Sequence, residues 1–201
     1  MKGIAHIPHH LVLFAIGLLT AFQVSAQHSC CDPSEGSATA SFAALGQEDG
    51  FRAAHQTPRN FVLEDAKGAN VTFLTPDGKT GGGYYVPAET DADKYLFVIH
   101  EWWGLNDHIR AEAERLQAEL GDVHVLALDL YDGKVATDRQ SASQYMQSVD
   151  EARAKAIIQG ALNNVGAEAK VGTIGWCFGG GWSLQATLLA GSQAAGCVLY
   201  Y

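Results

Sequence analysis

Residues 171–182 read VGTIGWCFGGGW, an apolar run followed by a cysteine with glycines on both sides. Gly175, Cys177 and Gly179 lie between a predicted strand and a helical pattern that starts near Gly180. A turn this tight forces strained dihedral angles at its central residue, and side chains two residues before and after it would collide with each other or with the sheet. The sequence therefore predicts that Cys177 lies at the tip of a sharp strand-to-helix turn.

Around this turn, short apolar strands alternate with helical segments. We predict strands at 95–100, 123–128, 170–174 and 196–200, and helices at 107–120, 138–165 and 180–190. The stretch 138–165 breaks near Asp150, which can cap its second part. Upstream, 70–75 and 82–86 flank the turn signal Pro76-Asp77-Gly78 and predict an antiparallel hairpin. Apolar strands that alternate with helices indicate a mainly parallel sheet with helices on both faces, so the predicted fold class is α/β.

The first residues have the composition of a signal peptide. Lys2 gives a positive start, residues 11–22 contain no charge, and residues 24–26 match a small-x-small cleavage rule. The apolar run is too short for a membrane-spanning helix, which needs about 20 residues. We therefore expect residues 1–26 to be removed from an exported protein, periplasmic or secreted, that has no membrane partner after cleavage.

A flexible N-terminal segment is predicted at 27–58, and one folded domain at 59–201. The segment contains Cys30 and Cys31 within SCCDPSEGSATAS, and no further Cys or His stands at the spacing of a zinc site. We therefore expect neither a metal nor an organic cofactor.

The charge balance narrows the classes of partner. The chain carries 13 Lys and Arg against 22 Asp and Glu, a net charge of −9. Such an acidic chain is repelled by nucleic acid and by anionic lipid. The sequence gives no indication of oligomeric state.

The Gly-x-Cys-x-Gly spacing around Cys177 is that of a nucleophile elbow, with sulfur in place of the usual serine oxygen. Such a turn holds the side chain above the carboxyl edge of the sheet, where substrates bind, and beside a helix N-terminus that favours a thiolate. The alternative is a buried structural cysteine in a glycine-rich loop, as nucleotide-binding folds have. No G-x-G-x-x-G or G-x-x-x-x-G-K-[ST] pattern opens the first strand–helix unit, which favours the nucleophile.

Glu101 follows the predicted strand at 95–100 and therefore lies at a carboxyl edge of the same sheet. A carboxylate in that position is either a solvated loop residue or a group that handles protons near the nucleophile.

Three stretches of the chain are distinctive: VIHEWWGLNDHIR (98–110), LALDLYDGK (126–134) and VGTIGWCFGGGW (171–182). Together they resemble the dienelactone hydrolase family of the α/β-hydrolase superfamily. The resemblance covers residues 84–201 and implies the α/β-hydrolase fold. It also implies a carboxymethylenebutenolidase-like hydrolase whose partner is a small ester or lactone substrate.

The resemblance implies roles for individual residues. Cys177 would attack the substrate carbonyl, and Glu101 would interact with the thiol and help govern its activation. The backbone N–H groups of Trp102 and Phe178 would hold the oxyanion. Family members bind a substrate carboxylate partly through an arginine in the loop after the DLY sequence. Here that loop has no arginine, but Lys134 lies one position beyond the matching place. A lysine offers a positive charge but not the two parallel hydrogen bonds that a guanidinium forms with a carboxylate, so Lys134 is a weak candidate for substrate binding.

Two members of the expected catalytic triad do not follow the nucleophile. A cysteine hydrolase needs a histidine to accept the thiol proton and an acid to orient that histidine, and on this fold both come later in the chain. After Cys177 the sequence has no histidine, aspartate or glutamate. We therefore expect a fragment, truncated at the C-terminus, with little activity of its own.

The earlier histidines are poor substitutes for the missing base. His100 neighbours Glu101 on a strand end, where successive side chains point to opposite sides. His108 opens a helix, and His124 lies inside an apolar strand as a satisfied core group.

Two other interpretations compete with hydrolysis. A non-catalytic α/β-hydrolase-fold binding protein needs no triad and is the main alternative. Thiol redox chemistry is disfavoured, because the turn lacks Cys-x-x-Cys and Cys197, in an apolar strand, is a poor resolving partner.

Overall fold

The computed structural model describes residues 38–90 and 92–201. The strands are β1 (Ala69–Leu74), β2 (Thr80–Val86), β3 (Lys94–Ile99), β4 (His124–Asp129), β5 (Lys170–Trp176) and β6 (Ala194–Tyr200). The helices are α1 (Ala38–Ala44), α2 (Asp49–Ala54), α3 (Asp107–Leu120), α4 (Arg139–Gln147), α5 (Glu151–Val165) and α6 (Phe178–Ala190). The predicted signal peptide at 1–26, with Cys30 and Cys31, lies outside the described residues.

Within the described residues, the sheet has six strands in the order β1-β2-β4-β3-β5-β6. The strands β4, β3, β5 and β6 are parallel neighbours. The hairpin β1–β2 joins antiparallel to β4 and forms one edge. The predicted α/β class, mainly parallel with an antiparallel hairpin at its edge, is confirmed.

Side chains that alternate along β3 face two separate apolar layers. Phe97 belongs to the core cluster that contains Ile157 of α5 and Trp182 of α6, whereas Val98 belongs to a second cluster with Ile109 of α3. Because successive strand residues point to opposite faces, helices cover both faces of the sheet, as predicted.

The helix boundaries follow local signals. The Asn106 side chain accepts a hydrogen bond from the Ile109 N–H at the start of α3. Asp150 caps α5 in the same way through the Arg153 N–H, which confirms the predicted break. No helix in the part of the chain that the structure describes combines the length and apolar character needed to cross a membrane.

The prediction of a flexible segment at 27–58 does not hold for the part of it that the structure describes. Residues 38–54 hold α1 and α2, and their aromatic residues Phe42 and Phe51 pack against the main core. The Ser143 hydroxyl also donates to the carbonyl of Gly46 at 2.6 Å. The small-residue composition suggested a linker, but tertiary packing stabilises short helices that propensity alone does not. The predicted start of the domain at residue 59 stays a prediction.

Candidate active site

Cys177 lies between β5 and α6 with φ 54° and ψ −123°. A residue with a side chain rarely adopts this conformation, because it costs about 1–3 kcal/mol. Residues in such strained conformations are concentrated at functional sites. Its N–H donates to the carbonyl of Tyr200 at 3.0 Å, and its carbonyl accepts from the Gly180 N–H at 2.9 Å. Hydrogen bonds on both sides therefore hold the strained turn in place.

The glycines flanking the cysteine meet the backbone directly. A Cβ on Gly175 would lie 2.0 Å from the carbonyl oxygen of Gly179. A Cβ on Gly179 would lie 2.3 Å from the carbonyl oxygen of Ile99. The predicted collision is confirmed, since only hydrogen fits at either position.

The sulfur of Cys177 lies in a buried pocket of backbone donors. The residue is 1% exposed. The backbone N–H groups of Trp102, after β3, and Phe178, the first residue of α6, both act on the sulfur and lower the pKa of the thiol. The structure thus brings Cys177 together with the two N–H groups that the resemblance assigns to the oxyanion.

The thiol of Cys177 is protonated at neutral pH. Burial raises its pKa to about 11, and the charge of Glu101 adds to the rise, while the two backbone hydrogen bonds act in the opposite direction. The N-terminus of α6 was expected to favour a thiolate, but the cost of burying the charged form outweighs it.

Glu101 follows β3 and is half-buried beside the elbow. Its Oε1 accepts a hydrogen bond of 3.0 Å from the hydroxyl of Tyr201. Burial, and then the charge of Glu101, raise the pKa of Tyr201 to about 12. The sequence did not indicate this tyrosine, because no motif links it to the glutamate.

His55 also contacts Cys177, and the sequence did not indicate this contact. Its Nε2 lies 3.6 Å from the sulfur of Cys177, and its Nδ1 lies 2.7 Å from the carbonyl oxygen of Phe51. The histidine stands 122 residues before the cysteine in a segment interpreted as a linker, so no local pattern could have paired them.

The histidines considered from the sequence are occupied elsewhere. His100 is fully buried, donates from Nδ1 to the carbonyl of Glu101 and accepts at Nε2 from the Leu130 N–H. Burial lowers the pKa of His100, so the ring is neutral. His124 contacts the hydroxyl of Tyr85, and His108 contacts the carbonyl of Arg59.

Lys134 lies apart from the sulfur. Its ammonium is 5.7 Å from the centre of the Tyr145 ring, in a cavity of about 120 Å³ that Asp132 and Arg153 also line. None of its contacts among the described residues reaches Cys177 or Glu101.

A cleft of about 400 Å³ opens at the carboxyl edge of the sheet and is lined in part by His55, Glu101, Trp103 and Tyr201. It offers room for a small organic molecule beside Glu101. No three His, Cys, Asp or Glu side chains gather as metal ligands within residues 38–90 and 92–201.

A family model described as the dienelactone hydrolase family matches residues 82–201. Among solved structures, the protein named m3DLH is 28% identical, with a TM-score of 0.52 over 66% of this chain and 59% of its own. The dienelactone hydrolase-like promiscuous phosphotriesterase P91, from metagenomic libraries, is 27% identical, with a TM-score of 0.53 over 67% of this chain and 59% of its own.

A cold-adapted esterase from an Arctic intertidal metagenomic library shares the fold at 18% identity, with a TM-score of 0.50 over 72% of this chain and 65% of its own. No curated protein matches the chain. The chain spans about 59% of the length of the first two solved structures.

Proposed function

This chain belongs to the dienelactone hydrolase family. We propose that the protein is a hydrolase of small esters or lactones and that it acts through Cys177. The observation that carries the proposal is the strained turn that holds Cys177 between β5 and α6, with φ 54° and ψ −123°. The backbone N–H groups of Trp102 and Phe178 both act on its sulfur. Donors fixed in this way stabilise the oxyanion of an acyl-transfer reaction, and each is worth roughly 10²–10³ in rate.

In the proposed reaction, the sulfur of Cys177 adds to the substrate carbonyl and the carbonyl oxygen takes up negative charge. The backbone N–H groups of Trp102 and Phe178, which act on the sulfur at rest, are then available to that oxygen. The alcohol leaves, and water hydrolyses the thioester.

We assign Glu101 a part in activating the thiol. Its charge raises the pKa of Cys177 in the resting protein. A substrate that displaces or neutralises this carboxylate therefore favours loss of the thiol proton.

The substrate is proposed to enter the cleft beside Glu101, between Trp103 and Tyr201. Lys134 faces a different cavity and is not needed for this pose. Export to the periplasm or out of the cell, which the composition of residues 1–26 supports, belongs to the same proposal.

Acylation of the chain by p-nitrophenyl acetate tests the proposal. We expect a burst of p-nitrophenol that approaches one equivalent per chain, and one acetyl group on the peptide containing Cys177. In Cys177→Ala, the rate of the burst should fall by about 10³-fold or more. Cys197→Ala is the matched control, because Cys197 lies in β6 as the second free cysteine of the described residues.

An unchanged burst in Cys177→Ala would contradict the proposal. Tight binding of small esters by a chain that is never acylated would instead support the non-catalytic binding protein.

A further inference from the structure

We propose that His100 is a positioning residue, whose side chain fixes and polarises the backbone N–H of Trp102 for the substrate oxyanion. This inference rests on the proposed function and deepens it, because it names the group that prepares one of the two oxyanion donors. His100 follows β3 and is fully buried, so it acts through the backbone and does not touch the substrate.

The two ring nitrogens of His100 have fixed and opposite roles. A carbonyl oxygen only accepts, so the contact of 2.6 Å between Nδ1 and the carbonyl oxygen of Glu101 places a hydrogen on Nδ1. A backbone N–H only donates, so the contact of 3.2 Å from Leu130 to Nε2 leaves that nitrogen with a lone pair. Both contacts require the same neutral tautomer, which agrees with the lowering of the ring's pKa by burial.

The carbonyl of Glu101 and the N–H of Trp102 belong to one peptide unit. In a trans peptide unit these two bonds point in opposite directions. The N–H acts on the sulfur of Cys177. The carbonyl, on the other side of the unit, accepts from His100 and also from the Gly104 N–H at 3.2 Å. The imidazole therefore holds the back of the same group that presents its N–H to the reacting atoms.

The hydrogen bonds around His100 form a chain that runs in one direction. The Leu130 N–H donates to the ring, and the ring donates to the carbonyl of Glu101. The N–H of Trp102 then acts on the sulfur. Hydrogen bonds aligned in this way strengthen one another by about 10–30% per bond. The alignment makes the Trp102 N–H a stronger donor to negative charge that develops on the substrate oxygen.

Packing against two aromatic rings keeps the imidazole in place. The ring of Phe178, the residue that supplies the second donor, stacks on that of His100 at 5.8 Å between centroids. Tyr131 meets the imidazole edge-on at 4.6 Å, and its hydroxyl donates to the carbonyl of Trp102 at 3.2 Å. His100 thus contacts both segments that carry the oxyanion donors.

Two rates measured on the full 201-residue chain test the inference. The first is acylation of Cys177 by p-nitrophenyl acetate, which builds negative charge on a carbonyl oxygen. The second is alkylation of the same sulfur by iodoacetamide, which displaces iodide and builds no such charge. The ratio of the two rates cancels any change in the ionisation of the thiol.

In His100→Leu the ratio of acylation to alkylation should fall by about 10-fold, less than the roughly 10²–10³ that loss of a whole donor costs. The ester concentration that gives half the maximal rate should stay the same, because the donor acts mainly in the transition state. His100→Asn is the conservative variant, since its amide N–H can replace Nδ1–H as the donor to Glu101. It should recover most of the parental ratio.

His124→Leu is the matched control. The ring of His124 also joins two backbone groups, the Ala88 N–H at 2.9 Å and the Ala92 carbonyl at 3.1 Å. It does so at the first residue of β4, at the opposite end of the sheet from the carboxyl edge. The ratio of the two rates in this variant should equal that of the parent chain.

Two NMR measurements need no catalysis. Imidazole nitrogen signals of the unaltered chain should show His100 protonated at Nδ1 and not at Nε2. A hydrogen bond to the carbonyl of a peptide unit polarises the unit and deshields its nitrogen. The backbone nitrogen signal of Trp102 should therefore move upfield in His100→Leu and return in His100→Asn.

Three results would overturn the inference: a parental ratio in His100→Leu, a ratio in His100→Asn as low as in His100→Leu, or a resting ring protonated at Nε2. Failure of the proposed function is distinguishable, since it appears as a burst that survives Cys177→Ala. The Trp102 signal decides in that case. A shift in His100→Leu that His100→Asn reverses supports the positioning role, and an unchanged signal refutes it.

Discussion

At the scale of single residues, Gly179 is the point where the elbow touches the neighbouring strand. A methyl group on its Cα would lie 2.3 Å from the carbonyl oxygen of Ile99 and 2.6 Å from that of His100. Both oxygens belong to the backbone, which cannot rotate away as a side chain does. The close approach of α6 to the end of β3 therefore depends on the missing side chain.

We expect Gly179→Ala to lower the free energy of unfolding by more than about 2 kcal/mol, through overpacking against fixed backbone. Gly196→Ala is its control, because nothing lies within 4 Å of a Cβ at that position in β6. That change should leave stability unaltered or raise it by about 0.5 kcal/mol, since alanine reduces the entropy of the unfolded chain. Urea unfolding measures both, and equal midpoints would contradict the packing argument.

Residue patterns predicted part of this site and missed the rest. The sharp turn at Cys177 was predicted because the elbow is a local pattern, and the position of Glu101 at the sheet edge because this residue ends an apolar strand. The roles of both residues stay predictions. His55 and Tyr201 were not found, since each meets its partner only through the tertiary fold. The raised pKa of Cys177 was also unforeseen, because burial depends on the whole surroundings of the sulfur.

At the scale of elements, Arg153 connects α5 to the hairpin and to the loop after β4. Its guanidinium pairs with Asp77 at 3.2 Å and Asp132 at 2.6 Å, and it donates to the carbonyl of Thr80 at 2.7 Å. Its side chain is only 11% exposed. Helix, hairpin turn and loop are thereby fixed by one cation.

Arg153→Ala should lower the free energy of unfolding by roughly 2–3 kcal/mol, because several charge-assisted hydrogen bonds to a largely buried guanidinium are lost. Arg115→Ala removes a guanidinium that also pairs with two carboxylates, on the solvent-exposed face of α3. This change should lower the free energy of unfolding far less, because exposed ion pairs are screened by solvent and contribute little to stability. A loss of similar size in the two variants, measured by urea unfolding, would refute the bridging role of Arg153.

Element prediction succeeded where the pattern is periodic. The strands and the helices α3 to α6 were predicted within a few residues, because each has an apolar period and a cap or glycine at its end. The helices α1 and α2 were missed, since they are short and owe their stability to packing on the core. The pairing of Arg153 with Asp77, 76 residues apart, left no local signal.

At the scale of the whole molecule, several thiol and phenol groups have a pKa above the ordinary value in the folded state. Burial is the largest cause for Cys177, raised to about 11, and for Tyr84, raised to about 12. As pH rises past 9, the unfolded chain therefore loses these protons first and the folded chain binds more of them. These groups therefore make the free energy of unfolding fall with rising pH in this range, whereas Cys197, whose pKa is lowered mainly by hydrogen bonds from neighbouring hydroxyl groups, acts in the opposite direction.

Comparison with Cys177→Ser isolates the contribution of the thiol, because the hydroxyl does not ionise in this range. Between pH 8 and pH 10.5, we expect the parent chain to lose about 2 kcal/mol more stability than this variant, since the thiol pKa rises from 9.0 to about 11 on folding. Urea unfolding at the two pH values provides the measurement. Parallel losses in the two proteins would mean that the thiol ionises equally readily in both states.

The parallel order of β4, β3, β5 and β6 brings all their carboxyl ends to one edge. The sequence predicted that Glu101 and Cys177 share this edge, because both follow strands of the parallel part of the sheet. It did not show that β3 and β5 are direct neighbours, with Ile99 opposite Gly175. Strand order is a long-range property, and no motif in the chain encodes it locally.

The depth at which Cys177 lies has a consequence for its chemical survival. The thiolate attacks peroxide, so the susceptibility of a cysteine to oxidation follows its thiolate character and its solvent access. A sulfur that is 1% exposed, with its pKa raised to about 11, offers oxidants neither. The burial that disfavours the thiolate form thus also protects the sulfur from conversion to the sulfenic, sulfinic and sulfonic acids.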